Sequence, residues 1–189
     1  MDDLLTSDEL VCSPHVELER LRLAGVRLGV ASGEISRERI VDVSFSPIVE
    51  RYEYATGART RFFDAAGKEL AMSEVIDGVL HEGGMVHIAE GSFKIARGHV
   101  VGISLYGPSL SRRFARLKSY DDFLKAFGSP DRAVEHEGSG EIYSTDNFYF
   151  ALQKKACWSP MSSTLDCVNW GTYEGNVPTP ADQASDTLV

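Results

Sequence analysis

The sequence predicts an α+β fold that is mainly an antiparallel β-sheet, a meander with one well-specified helix packed on one face. Apolar residues recur with period two through most of the middle of the chain, and turn residues separate these runs at short intervals. Only one segment carries a complete set of helix start and stop signals. Many short strands with few helices are typical of an antiparallel sheet with one face covered and the other partly solvated.

Period-two alternation locates the strands. The predicted strands lie, in order, near residues 41–45, 52–54, 85–88, 93–95, 100–105, 148–157 and 165–170. Glu90-Gly91 and Arg97-Gly98 stand where hairpin turns need residues that tolerate positive φ. Residues 14–30 fit either a helical face or alternating strands, and we favour strands around Gly25.

The well-specified helix spans residues 119–127. Ser119 is placed to accept a hydrogen bond from the backbone N–H of Asp122 as an N-cap, and Gly128 can end the helix. Its apolar residues fall at i, i+3, i+4 and i+7, and they are Tyr120, Phe123, Leu124 and Phe127. A shorter helix is predicted over 73–80, although Gly78 weakens it.

Composition divides the 189-residue chain into a flexible acidic N-terminus (1–12), one α+β domain (13–171) and a flexible acidic C-terminal tail (172–189). The net charge is −9, but residues 1–10 and 172–189 hold seven acidic residues and no basic one. Residues 11–171 therefore carry 21 acids against 19 bases, a net charge of −2. A nearly neutral folded part argues against nucleic acid as a partner.

The cysteines and the N-terminus favour a cytoplasmic location. The three cysteines, Cys12, Cys157 and Cys167, are odd in number and lack C-x-x-C spacing, as expected of reduced thiols. Cys157 and Cys167 can pair only if they face each other across a hairpin, and a buried free thiol is the commoner fate. An acidic N-terminus is unlike a signal peptide, and the apolar runs are too short to span a membrane, so no membrane partner is expected.

Sequence motifs for catalysis and for cofactor binding are missing. The five histidines include no i, i+4 pair and no H-E-x-x-H, so no metal site is predicted. G-x-G-x-x-G, P-loop and G-x-S-x-G motifs are also absent, and no cofactor or catalytic residue is predicted. The alternative is a small enzyme or ligand-binding domain with His87, His99 and a carboxylate such as Glu82 or Glu90 in a sheet-lined pocket.

Residues 131–146 favour binding to another protein. This segment has five acidic residues and one basic residue, contains two glycines around Ser139, and is predicted to be a mobile loop beside an aromatic strand. Charge would steer the encounter and aromatic side chains would anchor it. The predicted partner-binding residues are Asp131, Glu135, Glu137, Glu141, Tyr143, Asp146, Tyr149 and Trp158.

The function predicted from this pattern is a non-catalytic protein-binding domain. Its most concrete form is an inhibitor or immunity-type protein that sequesters a partner, such as a toxin, through the acidic loop and the aromatic strand edge. A structural domain of a larger assembly is a third interpretation, and it predicts a broad apolar patch on the uncovered face of the sheet.

Overall fold

The computed structural model describes residues 21–54, 60–106, 119–127, 129, 132–138, 141–151, 154–159 and 164–171. The predictions for residues 1–20 and for the C-terminal tail at 172–189 lie outside these residues.

The described residues form thirteen strands, two α-helices and two short 3₁₀ turns. The strands are β1 (Arg22–Leu23), β2 (Val26–Arg27), β3 (Ile40–Ser44), β4 (Arg51–Tyr54), β5 (Thr60–Phe63), β6 (Glu69–Leu70), β7 (Gly83–Ile88), β8 (Gly91–Ala96), β9 (His99–Tyr106), β10 (Arg132–Gly138), β11 (Glu141–Ala151), β12 (Lys154–Ser159) and β13 (Thr164–Gly171). The helices are α1 (Met72–His81) and α2 (Tyr120–Phe127), and the 3₁₀ turns are Ser32–Glu34 and Arg37–Arg39. The predicted α+β class is confirmed.

One eight-stranded sheet dominates the fold. Its strand order is β10-β11-β12-β13-β9-β8-β7-β3, and every neighbouring pair is antiparallel. Two meanders, β7-β8-β9 and β10 to β13, are joined where β13 pairs with β9, and β3 extends the sheet beside β7. The strands β1 and β2 form a hairpin, and β4, β5 and β6 form a small separate sheet. The edges of the large sheet are therefore β3 and β10.

The core lies on one face of the large sheet. Cross-strand register aligns Val43, Val86, Phe93, Ile103 and Trp170 in one row over five strands. All five are buried. Helix α1 packs on β7 and adds buried valines to the same cluster. This row of large apolar side chains and the buried valines of α1 place the main hydrophobic core on this face of the sheet.

The N-terminal signals of the predicted 119–127 helix are confirmed in α2, and Gly128 lies outside the described residues. The Asp122 N–H donates to Ser119 Oγ at 3.2 Å and the Ser119 N–H donates to Asp122 Oδ2 at 3.1 Å, so both ends of a capping box are made. Phe123 is fully buried in the core cluster. The predicted 73–80 helix is also present as α1, and its Gly78 lies directly against the Ile48 side chain.

The predicted turns around Gly25 and at Arg97-Gly98 are confirmed as well. Ala24 and Gly25 have φ of 54° and 83° between β1 and β2, and Arg97 and Gly98 have φ of 51° and 73° between β8 and β9. Turns of this kind need two residues in the left-handed region, which is why the glycines are present.

Two strand predictions are wrong. Within the segment 131–146 predicted to be a loop, residues 132–138 and 141–146 are strand, because β10 pairs with β11 from Arg132↔Phe148 to Gly138↔Glu141. The run 148–157 is not one strand, because β11 ends at Ala151 and β12 starts at Lys154 to pair back on it. The break in 148–157 was not predicted because Leu152 and Gln153 are not typical turn residues. The acidic segment forms strands because its hydrogen bonds to the neighbouring strand outweigh the weak β propensity of its charged residues.

Candidate functional site

The strongest candidate site in the described part of the chain is an open groove beside the edge strand β3. We call it the edge groove, and its volume is about 530 Å³. One wall is the end of β3 with the turn that follows it, and the other is the small sheet. The residues that the site depends on are Asp42, Ser44, Phe45, Ser46, Tyr52 and Tyr54.

Phe45 directly follows β3, lies in a bend and lines the groove. Its φ is 55°, the left-handed region that aromatic residues rarely enter, and 78% of its surface is exposed. The turn closes against Gly84 of β7, where a Cβ atom would come within 2.9 Å of the Phe45 carbonyl oxygen. Ser46 is buried and accepts a hydrogen bond from the Ile48 N–H at 3.4 Å. The backbone therefore turns sharply here and leaves an aromatic ring in solvent.

Aromatic surface is concentrated at this edge. Tyr54, at the end of β4, is 86% exposed and lines the edge groove together with Phe45. Val41 on β3 is 64% exposed, and it lies at a register shift of the β3–β7 pair. These three are the large apolar residues that the structure records as exposed within its described ranges. Exposed aromatic residues grouped at one groove are typical of binding surfaces, which makes this groove the leading candidate site.

Tyr52 brings a buried hydroxyl group to the wall of the same groove. Its ring packs edge-on against Phe62 with centroids 5.6 Å apart. Its Oη atom is buried and has no hydrogen-bond partner among the residues that the structure describes. Buried hydroxyl groups are normally satisfied, so the Tyr52 hydroxyl is an exception among the described residues.

A hydrogen-bonded chain connects the groove to the large sheet. Ser44 Oγ lies 2.8 Å from His87 Nε2, and His87 Nδ1 lies 2.7 Å from Ser92 Oγ. A neutral imidazole has one donor and one acceptor nitrogen, so one serine donates to the ring and the other accepts from it. Burial lowers the pKa of His87, and the Asp42 carboxylate opposite it across the β3–β7 pair acts weakly against that shift. His87 is therefore held neutral near pH 7.

His87 and Ser92 belong to a row of polar residues on the face of the sheet opposite the core row. Register aligns Asp42, His87, Ser92, Ser104 and Asn169 across β3, β7, β8, β9 and β13. Ser104 Oγ donates to Asn169 Oδ1 at 2.5 Å, and both residues are buried. Sequence reasoning missed this row because each member is an ordinary polar residue in its own strand, and only the register brings them together.

His87 and His99 do not converge. His87 pairs with Ser92 near the β7–β8 turn, whereas His99 is exposed at the β8–β9 turn with Nδ1 2.9 Å from the Arg97 carbonyl oxygen. Glu90, a suggested third member, is paired with Arg39 at 2.7 Å. A shared His87–His99 pocket is therefore not formed.

The predicted acidic residues lie on the β10–β11 hairpin. Glu135 pairs with Thr145, and Glu137 pairs with Ile142 after a register shift. Alternation along the strands places Glu135 and Glu137 on one face of the sheet, and Glu141 and Asp146 on the other. Asp131 lies outside the described residues. Glutamates on an edge strand are also a common protection against edge-to-edge pairing.

The predicted aromatic residues are divided in a similar way. Tyr149 pairs with Ala156, and Trp158 pairs with Asn147, so both share the sheet face of Glu135. Tyr143 lies within the register shift of the β10–β11 pair. The seven predicted residues within the described strands thus lie on one hairpin and the strand next to it, and they occupy both faces of the sheet.

No family model, curated protein or solved structure matches this chain. The described residues contain no group of three His, Cys, Asp or Glu side chains that could hold a metal ion. None of the helices in the described ranges has the length and apolar character needed to cross a membrane.

Proposed function

We propose that this chain is a non-catalytic protein-binding domain of the inhibitor or immunity type, and that its edge groove receives a basic side chain of the partner. The observation that carries the proposal is the composition of the groove. Two highly exposed aromatic rings, Phe45 and Tyr54, line it together with one carboxylate, Asp42.

Lysine or arginine suits these groups. A cation over an aromatic face gains about 0.5–2 kcal/mol, and more when the site is partly desolvated. The Asp42 carboxylate adds charge complementarity to a cationic side chain. The net charge of −9, most of it in residues 1–10 and 172–189, favours association with a basic rather than an acidic partner at low ionic strength.

Because the groove lies at a sheet edge, it is accessible to a large partner. The strand β3 pairs with β7 on one side and ends the strand order on the other. An open groove at an edge admits a side chain that projects from another protein, whereas small-molecule sites usually enclose most of their ligand.

A defined peptide tests the recognition chemistry. We expect an arginine-containing peptide, titrated into the ¹⁵N-labelled full chain, to shift the resonances of residues 42–54 more than its citrulline counterpart does. Asp42→Asn and Phe45→Ala should reduce these shifts several-fold, and Asp121→Asn, on an exposed position of α2, should leave them unchanged. Equal shifts with the citrulline peptide, or shifts confined to residues 132–146, would reject the groove as the binding site.

A second candidate function, a small hydrolytic enzyme, is favoured by the Ser44–His87 contact. The 2.8 Å distance from Ser44 Oγ to His87 Nε2 is that of a nucleophile and its base, and the lowered pKa of His87 keeps the ring neutral. Ser92 would hold the ring through Nδ1. His99 has no role in this hydrolase hypothesis.

Activity-based labelling distinguishes the two candidates. If the chain is a hydrolase, a fluorophosphonate probe should label Ser44, and His87→Gln should abolish this labelling. Ser36→Ala, which changes an exposed serine, should leave the labelling unchanged. If the chain is a non-catalytic binding domain, the probe should label Ser44 no more than it does after denaturation.

A further inference from the structure

Cys157 and Cys167 occupy directly facing positions of the antiparallel β12–β13 pair. We propose that these two cysteines form a reversible redox site, which a low-molecular-weight disulfide such as oxidised glutathione converts to a cross-strand disulfide. The proposal is independent of the proposed function.

The register places the two residues within disulfide range. Facing residues of an antiparallel pair have Cα atoms roughly 4.5 Å or 5.5 Å apart, depending on whether they are hydrogen-bonded to each other. A disulfide accepts Cα separations of about 4.4–6.8 Å. Both Cα separations lie within the range that a disulfide accepts, and the Cβ atoms need to approach by only about 1 Å.

The β12–β13 pairing is regular from Lys154 to Cys157 and irregular immediately after Cys157. Ala156 faces Val168, which is fully buried, and Lys155 faces Asn169. A register shift follows immediately after Cys157. A buried anchor on one side prevents slippage, and the irregularity on the other lets the local twist adapt to the preferred disulfide dihedral angle.

Lys154 and Lys155 precede Cys157 in the same strand. Nearby cations favour the thiolate, which is the form that reacts with a disulfide. The sequence therefore provides both a pair of thiols and a positive charge next to one of them.

The reaction is a thiol–disulfide exchange in two steps. One cysteine thiolate attacks a sulfur of oxidised glutathione, which forms a mixed disulfide and releases one glutathione thiolate. The second cysteine thiolate attacks the protein sulfur of the mixed disulfide, which forms the Cys157–Cys167 bond and releases the second glutathione. Two protons and two electrons pass from the protein to the reagent.

Oxidation would lock the β12–β13 hairpin. The bond closes a short loop in the unfolded chain, and a loop of this size reduces the entropy of the unfolded state appreciably. For a chain of this length we expect the midpoint of thermal unfolding to rise by about 5 °C on oxidation.

The test uses the full chain and oxidised glutathione. Peptide mapping of the oxidised wild type should recover residues 157 and 167 in one linked fragment, with no glutathione retained on either. The Cys12→Ser variant should behave in the same way and show the rise in unfolding midpoint, which dithiothreitol should reverse. Cys12→Ser/Cys167→Ser should instead retain one glutathione on Cys157 and show no such rise.

Three results would overturn the proposal. They are separate glutathione adducts on Cys157 and Cys167, a bond from either residue to Cys12 in the wild type, and two thiols that stay unmodified in the folded Cys12→Ser variant. Mapping of the wild type does not depend on any variant folding, so it decides the matter even if a double variant is unstable.

Discussion

Phe45 combines an unfavourable backbone conformation with a large exposed ring. Substitutions that remove the ring can therefore be compared for the effect of the backbone conformation alone on stability. A non-glycine residue in the left-handed region lowers the stability of the folded chain by about 1 kcal/mol, and glycine does not have this penalty. We expect Phe45→Gly to be more stable than Phe45→Ala by about 1 kcal/mol in urea denaturation, because both lose the ring but only alanine keeps the strain. Equal stabilities would show that the left-handed turn is not present in solution.

His87 makes stability depend on pH. Burial lowers its pKa in the folded chain, so the unfolded chain binds a proton first as the pH falls through about 6.5. The free energy of unfolding should therefore decrease between pH 7.5 and about pH 5.5, a range above the usual carboxylate pKa values.

The His87 contribution is measured by difference. His87→Gln should remove part of the decrease seen in urea midpoints over this range, whereas His99→Gln, a change at an exposed turn, should preserve it. If His87→Gln retains the full wild-type decrease, burial of His87 is not its cause.

At the residue scale, sequence reasoning identified His87 but not the residues it contacts. Ser44 is 43 positions away in the chain, and nothing in its local pattern marks it as a hydrogen-bond partner of an imidazole. Tyr52 and Tyr54 were recognised as strand residues but not as groove residues. Whether a strand residue faces a core, a neighbour or a groove depends on pairing between distant segments, which single-strand periodicity does not encode.

Helix α2 is the element whose local signals were strongest, and its cap allows a direct test. Ser119→Ala removes the hydroxyl that accepts from the Asp122 N–H and should cost about 1 kcal/mol of stability. Ser119→Asn keeps a capping acceptor and should recover most of that loss. Urea denaturation of the two variants measures the difference, and equal losses would mean that the side chain of Ser119 does not cap α2.

Gly91 is required where β8 passes close to its neighbours. A Cβ atom there would collide with the Ser104 carbonyl oxygen and would lie 3.0 Å from side-chain atoms of Leu23 and Leu105. We expect Gly91→Ala to destabilise the chain by about 1–3 kcal/mol, the usual range for overpacking.

Gly33 is the matched control for Gly91. A Cβ atom added there has no neighbour within 4 Å, and its φ is not in the left-handed region. Gly33→Ala should change the urea midpoint little, within about ±0.5 kcal/mol. A loss for Gly91→Ala no larger than that for Gly33→Ala would contradict the close packing of Gly91 against Ser104 and Leu105 of β9 and Leu23 of β1.

The β10–β11 hairpin shows why an element can be missed. Five acidic residues and two glycines in residues 131–146 are typical of a solvated loop, yet alternation and pairing with β11 place most of them in strands. Strand propensity depends on context, and a charged edge strand is stable once its inner neighbour is in place. The composition was interpreted as flexibility, whereas the partner strand decides the conformation.

At the scale of the whole molecule, the fold class followed from period-two patterns, but the strand order did not. Consecutive strands such as β7, β8 and β9 pair in chain order, and their turns were visible in the sequence. The pairings of β13 with β9 and of β3 with β7 join segments far apart in the chain. These two pairings create both the core row and the polar row, so the candidate site could not be predicted without them.

The core row predicts that the large sheet unfolds as one cooperative unit. Phe93 is fully buried at its centre, between Val86 and Ile103 on the neighbouring strands. Phe93→Ala should cost about 3–5 kcal/mol, a large part of the roughly 5–15 kcal/mol that stabilises a typical domain. Val41→Ala, at an exposed position of β3, should cost about 0.5 kcal/mol or less.

Cooperativity is the second part of this prediction. Because the row extends from Val43 on the β3 edge to Trp170 on β13, loss of Phe93 should destabilise both meanders together. Tryptophan fluorescence and far-ultraviolet circular dichroism should then give coincident urea transitions in the wild type and in Phe93→Ala, with the variant shifted to lower urea. Two separated transitions would show instead that β7–β9 and β10–β13 unfold as independent units joined only by the β13–β9 ladder.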